Sequence, residues 1–138
     1  MASLGDAEDK AVFKLLMIMA GGGAGALLRY AVAGWAQRLG NGSFPLGTLT
    51  VNVVGCLVLG LLGALFAGPH LIREEYRVGI LVGLLGAFTT FSTFGFETFT
   101  LANEGQFRLA AVNILLSNGF GLIAVWFGYR AAGRWLGV

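Results

Sequence analysis

The 138-residue sequence predicts an all-α membrane protein of four transmembrane helices, the third broken near its middle. Three observations carry this. Hydrophobic residues make up 57% of the chain and charged residues 12%, whereas a soluble domain carries about a quarter charged residues. Four stretches, near 12–37, 46–67, 76–102 and 107–132, reach the about 20 apolar residues that cross the hydrocarbon as a helix. The third of them contains Gly86-Ala87-Phe88-Thr89-Thr90-Phe91-Ser92-Thr93-Phe94, which gathers hydroxyls and phenyl rings in the middle of a span.

Residues 1–11 read as a polar tail with Asp6, Glu8, Asp9 and Lys10, disordered and outside the membrane. The apolar segment behind the tail is too long for a secretory signal and more membrane follows it, so it is read as retained. Turn and polar residues then separate the spans: Asn41-Gly42-Ser43, Gly68-Pro69 and Asn103-Glu104-Gly105. Such short links make neighbouring helices antiparallel and the whole of 1–138 a single transmembrane domain. Within the third span, Val78 to Ala87 and Phe94 to Leu101 read as apolar helix on either side of the hydroxyl run. Irregular backbone at membrane depth survives only where protein buries it or where it lines a polar cavity. Transporters use such discontinuous helices as ion sites.

Trp35, Tyr76, Tyr129 and Trp135 fall near span ends, where amphipathic rings favour the headgroup level. Four crossings leave both termini on one side with Lys10, Lys14, Arg73, Arg77, Arg130 and Arg134, and Arg38 and Arg108 on the other. The positive-inside rule then favours cytoplasmic termini. One chain of this size leaves little room for an ion path, which points to a dimer.

Several function classes find no support. The net charge of +2 comes without a Lys/Arg-rich run, so nucleic acid is not a partner. Cys56, the single cysteine, permits no intrachain disulfide or cysteine-based metal cluster and reads as packing. His70, beside Pro69, has no carboxylate or thiol neighbour to make a zinc site and reads as a solvated loop residue. No Gly-x-Ser-x-Gly, P-loop or HExxH pattern occurs, so the chain is not read as an enzyme. The 23 glycines suit close helix packing, with Gly21 and Gly25 forming one Gly-x-x-x-Gly face.

The chemistry-bearing residues each have a functional and a plain reading. Arg29 attracts an anion or anchors a pair, or else it snorkels to the headgroups. Asn52 offers amide N–H donors to a dehydrated anion, or makes an interhelical hydrogen bond. Phe88, Phe91 and Phe94 recur every three residues and form either a packing stripe or a set of positive ring edges for a small anion. Four hydroxyls, on Thr89, Thr90, Ser92 and Thr93, would be wasted beside a simple lipid-facing stripe. Glu97 marks a proton or cation pathway, or pairs with Arg29 or another polar group. Asn113 and Ser117 lie four apart on one face, with Asn118, Gly119 and Gly121 following, and look like a second wall of a path.

These residues resemble the Fluc (CrcB) fluoride channels. The likeness runs through Gly25-Ala26-x-x-Arg29-Tyr30, Thr48-Leu49-x-Val51-Asn52-x-x-Gly55, Gly86-x-x-Thr89-Thr90-Phe91-Ser92-Thr93-Phe94 and Asn113-x-x-x-Ser117, from about residue 15 to 130. It implies a dual-topology homodimer in the inner (plasma) membrane, two subunits inserted in opposite orientations, with two antiparallel fluoride pores. By the same resemblance Phe91 and Phe94 present ring edges to fluoride, Asn52 donates its amide, and Ser117, Asn113 and Thr93 belong to the pore. A structural sodium ion is implied at the dimer centre, on the backbone carbonyls of Gly86 and Thr89. Arg29 and Glu97 support the site. Ala87 stands where many relatives have a second glycine. The Lys/Arg bias of six against two also departs from the balance that two-way insertion implies, so one half of an oppositely oriented pair stays open beside the homodimer.

The favoured activity is passive fluoride export from the cytoplasm, conferring fluoride resistance. A proton-coupled exporter of the small multidrug type is a rival. It needs a carboxylate in its chamber, normally on the first span, where this chain has Arg29. A packing subunit without transport is the third reading.

Overall fold

A computed structural model describes residues 4–40, 42–67 and 72–137. It is all-helical among them, with four helical stretches long and apolar enough to cross a membrane. They are α1 (Leu4–Leu39), α2 (Leu46–Ala67), a composite third span over Glu74–Asn103, and α6 (Phe107–Leu136). The third span is assembled from α3 (Glu74–Val78), a wide π-helical segment Gly79–Leu85, the single turn α4 (Gly86–Phe88) and α5 (Phe91–Asn103). The turn between α5 and α6 uses Gly105 at φ 76°, a left-handed conformation that glycine adopts without steric cost. His70 and the Gly68-Pro69 link lie outside the described residues, as does Asn41.

Three local differences from the sequence expectation stand out. Helix α1 begins at Leu4, so most of the expected disordered tail is its first turns. Acidic residues such as Glu8 and Asp9 favour that arrangement, because the amino end of a helix carries partial positive charge. At 36 residues and about 1.5 Å per residue the helix is far longer than a bilayer core requires. Second, Gly79–Leu85 is π-helical where a plain apolar helix is expected. Third, the departure from helix within the third span is confined to Thr89 (φ −82°, ψ 158°) and Thr90 (φ −152°, ψ 111°), while Ser92, Thr93 and Phe94 are already helical.

The glycines decide how closely the helices meet. A Cβ on Gly21 would run into the Gly79 carbonyl oxygen, and one on Gly25 into that of Leu84, so this face of α1 lies directly on the π-helical segment. Gly60 and Gly128 do the same between α2 and α6, each abutting a carbonyl of the other helix. Matching residues ascend together in both pairs, so α1 runs parallel to the third span and α2 parallel to α6. Gly25→Ala should therefore destabilise the assembled protein by about 1–3 kcal/mol of overpacking and lower its thermal midpoint. Gly22→Ala, where a Cβ meets nothing within 4 Å, should leave it unchanged or raise it, as alanine favours helix. Size-exclusion melts of the two variants check this.

At one end of the bundle Lys14 Nζ pairs with Glu74 Oε1 at 2.6 Å, and Arg73 Nε with Glu75 Oε2 at 3.4 Å. The Arg73 guanidinium lies 5.8 Å from the ring centroids of both Phe13 and Tyr76. This corner ties α1 to the start of the third span. Val51 and Asn113 are the largest fully buried side chains. Leu27, Leu115, Leu122 and Trp126 point outward, an apolar exterior suited to lipid.

Candidate functional site

The site forms where α2 and α6 face the Thr89–Thr90 link. Gly55 makes this approach possible, since a Cβ there would strike the Thr89 methyl group. One turn earlier on α2, Asn52 meets the link with both ends of its amide. Its Oδ1 accepts the Thr90 backbone N–H at 2.8 Å, and its Nδ2 donates to the Thr90 carbonyl at 3.0 Å. The interhelical hydrogen bond considered for Asn52 is therefore present, and it leaves one of two amide N–H groups for a ligand.

Those bonds explain why the helix stops. In an α-helix the Thr90 N–H would close on the Gly86 carbonyl; here it goes to Asn52. Thr89 folds back instead, its backbone N–H and its hydroxyl both donating to the Leu85 carbonyl at 3.0 Å. Thr90 then caps α5: its Oγ1 accepts the Thr93 backbone N–H at 3.2 Å and donates to Thr93 Oγ1 at 2.8 Å. Among the described residues no backbone N–H of the link reaches the Gly86 or Thr89 carbonyl.

Around the link lies a groove of about 410 Å³ whose walls include Asn52, Gly86, Thr89, Phe91, Phe94 and Ser117. Six of the residues singled out from sequence thus share one cavity. The two rings differ in setting: Phe94 is 8% exposed and Phe91 79%. Their centroids lie 5.4 Å apart with planes tilted by 47°. Cys56 and Asn118 also line the groove. Asn118 was visible in sequence as the neighbour of Ser117, while Cys56 carried no signal beyond packing.

The remaining candidates lie elsewhere. Asn113 is buried at 1% exposure and does not line the groove, but sits in a chain of hydrogen bonds that links two of the groove's wall residues, Ser117 and Phe94. Ser117 Oγ donates to Asn113 Oδ1 at 3.2 Å, Asn113 Nδ2 to Thr98 Oγ1 at 2.8 Å, and Thr98 Oγ1 to the Phe94 carbonyl at 2.7 Å. Thr93 and Arg29 line a second cavity of about 450 Å³ with Thr48 and Thr90. Glu97 borders a third, of about 320 Å³, with Glu104. Its Oε1 accepts from Thr48 Oγ1 at 2.7 Å and its buried Oε2 has no partner among the described residues. The pairing of Glu97 with Arg29 does not form; Thr48 takes the place of the arginine.

The model of the family described as CrcB-like protein, Camphor Resistance (CrcB), matches residues 16–129. The chain belongs to the CrcB-like family. It is 46% identical over 111 residues to the fluoride-specific ion channel FluC of Geobacter metallireducens, covering 80% of this chain and 90% of that protein. Over 101 residues it is 50% identical to the FluC protein of Maridesulfovibrio salexigens, 73% of this chain and 80% of that one. The FluC protein of Geobacter sulfurreducens shares 42% over 118 residues, 86% and 95% of the two chains. The CrcB-like match spans all four membrane helices and every wall of the groove. The chain is a multi-pass membrane protein of this family and not an enzyme.

Proposed function

We propose that this chain is a fluoride-selective channel that releases the ion from the cytoplasm by passive electrodiffusion and so confers fluoride resistance. The observation that carries the reading is the groove at Thr89–Thr90, where Asn52, Phe91, Phe94 and Ser117 converge. Fluoride is small and strongly hydrated, so only several positioned donors in a narrow path can replace its water. The second N–H of Asn52 and the first-turn N–H groups of α5 are such donors, while the Ser117 hydroxyl, which donates to Asn113 Oδ1 at 3.2 Å, forms part of the wall. The edges of the two phenyl rings carry the positive side of the ring quadrupole. The amino end of α5 adds the favourable end of the helix dipole.

The working unit is a homodimer of oppositely inserted chains with two antiparallel pores. Phe91, largely exposed in one chain, supports a second copy as the missing wall. A third helix interrupted at Thr89–Thr90 also suits a structural sodium ion at the dimer centre. Its carbonyls at Gly86 and Thr89 lack helical partners, and hard cations collect several such oxygens. One chain offers two, and a symmetry-related chain would double the set. Bound there, sodium would supply positive charge that lowers the cost of an anion nearby.

Fluoride efflux from liposomes holding the purified chain, read by electrode with chloride in parallel, tests the reading. Rapid fluoride loss without chloride loss is expected, and silence from well-folded protein would sink it. The half-buried Glu97, with its unpartnered Oε2, is the one feature that favours a proton-coupled exporter. Glu97→Gln separates the two: coupling would vanish in an exporter, whereas the channel should keep conducting, because Gln still accepts from Thr48.

A further inference from the structure

We infer that Thr90 is a positioning residue that holds the fluoride-lining elements in register, an inference that rests on the channel reading above. Of the four hydroxyl residues in the Thr89–Thr93 run, Thr90 alone is buried, at 9% exposure. It is tied from two directions. Asn52 on α2 grips its backbone N–H and carbonyl at 2.8 and 3.0 Å, while its own Oγ1 holds the backbone and hydroxyl of Thr93 at 3.2 and 2.8 Å.

A hydroxyl has one proton to give, and that of Thr90 goes to Thr93 Oγ1. The group is therefore spent on geometry and is not a donor to the ion. What it fixes is where α5 begins and how it is rotated against α2. Phe91 follows Thr90 directly and Phe94 lies one turn further on, so their spacing relative to Asn52 follows from the cap. Thr90 also borders both the groove and the Arg29 cavity, as the partition between them. Neighbouring hydroxyls cannot substitute: that of Thr89 bonds back to Leu85, and those of Ser92 and Thr93 lie in the helix that the cap starts.

The test compares Thr90→Val, equal in shape without the oxygen, with Thr90→Ser, which keeps it. Both are reconstituted at equal protein density, and fluoride and chloride efflux are measured alongside thermal melting of the detergent-solubilised protein. Thr90→Val should lower the ratio of fluoride to chloride flux about tenfold, the scale of a lost cap. Thr90→Ser should restore the ratio to within about twofold, as serine caps as well as threonine. A merely structural role would lower the melting temperature of Thr90→Val and leave the ratio of the folded protein at the wild-type value; that result overturns the inference, and so does failure of serine to restore it. If Thr90→Val does not assemble, Thr90→Cys takes its place, its sulfur a weak acceptor for the Thr93 N–H, giving a ratio below that of serine. A Cys variant equal to wild type would also overturn the assignment. Silence from the wild-type protein would instead overturn the channel reading itself.

Discussion

Asn52→Asp should reduce fluoride efflux at least about a hundredfold, on an electrostatic argument that leaves side-chain size unchanged. One carboxylate oxygen still accepts the Thr90 N–H, now made at 2.8 Å. The other replaces the Nδ2 group that donates to the Thr90 carbonyl at 3.0 Å, so two acceptors face each other. The groove wall also gains a negative charge where an anion must pass. At about 4 Å and an effective dielectric of about 20 that repulsion is worth about 4 kcal/mol, or about a thousandfold at about 1.4 kcal/mol per decade. Partial protonation of the new carboxyl relieves some of this, hence the lower figure. Electrode recordings on liposomes check it, with Asn52→Ala as companion: alanine removes the donor without adding charge and should lose less. Equal loss in both variants would show that Asn52 acts only by holding Thr90.

How far the sequence carries the fold depends on which forces are local. Four spans are legible because apolar length alone decides whether a helix crosses the hydrocarbon. The interruption of the third span is signalled by four hydroxyls that a lipid-facing helix would not spend. Its width is not legible. Hydroxyl residues suggest a long irregular run, yet the Thr90 cap lets α5 start at Phe91 and confines the extended backbone to two residues. The π-helical segment is equally hidden, for Gly79 and Gly83 read as ordinary helix until α1 is seen lying against them. Residues one turn from the link on another helix, Asn52 and Gly55, were recognisable as polar or small, but their target was not. Thr90 itself was lost among identical neighbours, because burial distinguishes it and composition does not. Asn113 shows the reverse case: its pairing with Ser117 follows from the spacing of four, whereas its second partner, Thr98, belongs to another helix.

If the proposed channel holds sodium beside its fluoride path, the interruption would let one short element serve ions of both signs. A helix that stops and restarts presents a carbonyl end and an N–H end at the same depth. On one side of the link the Gly86 and Thr89 oxygens have no backbone partner among the described residues. On the other, α5 opens with N–H groups of which Thr90 satisfies only that of Thr93. A hard cation suits the first set and a dehydrated anion the second, and each lowers the cost of holding the other. Discontinuous transporter helices use the same polarity.

Phe94→Ile should cut fluoride efflux about tenfold or more while assembly survives. The substitution keeps an apolar, branched side chain at a buried position, so the stability cost should stay near about 1.5 kcal/mol or below. It also ends the contact with the Phe91 ring, 5.4 Å away between centroids. What disappears chemically is the quadrupole: isoleucine has no positive edge to offer an anion. If an edge contact in a desolvated path is worth about as much as the cation–face contact of the same quadrupole, about 2 kcal/mol, the loss is about thirtyfold. Phe94→Tyr retains the edge and should conduct well above the isoleucine variant, provided its hydroxyl finds room in the groove. Flux at the wild-type rate in Phe94→Ile would show that the ring acts as a spacer, and the anion path would then rest on Asn52 and the amino end of α5 alone.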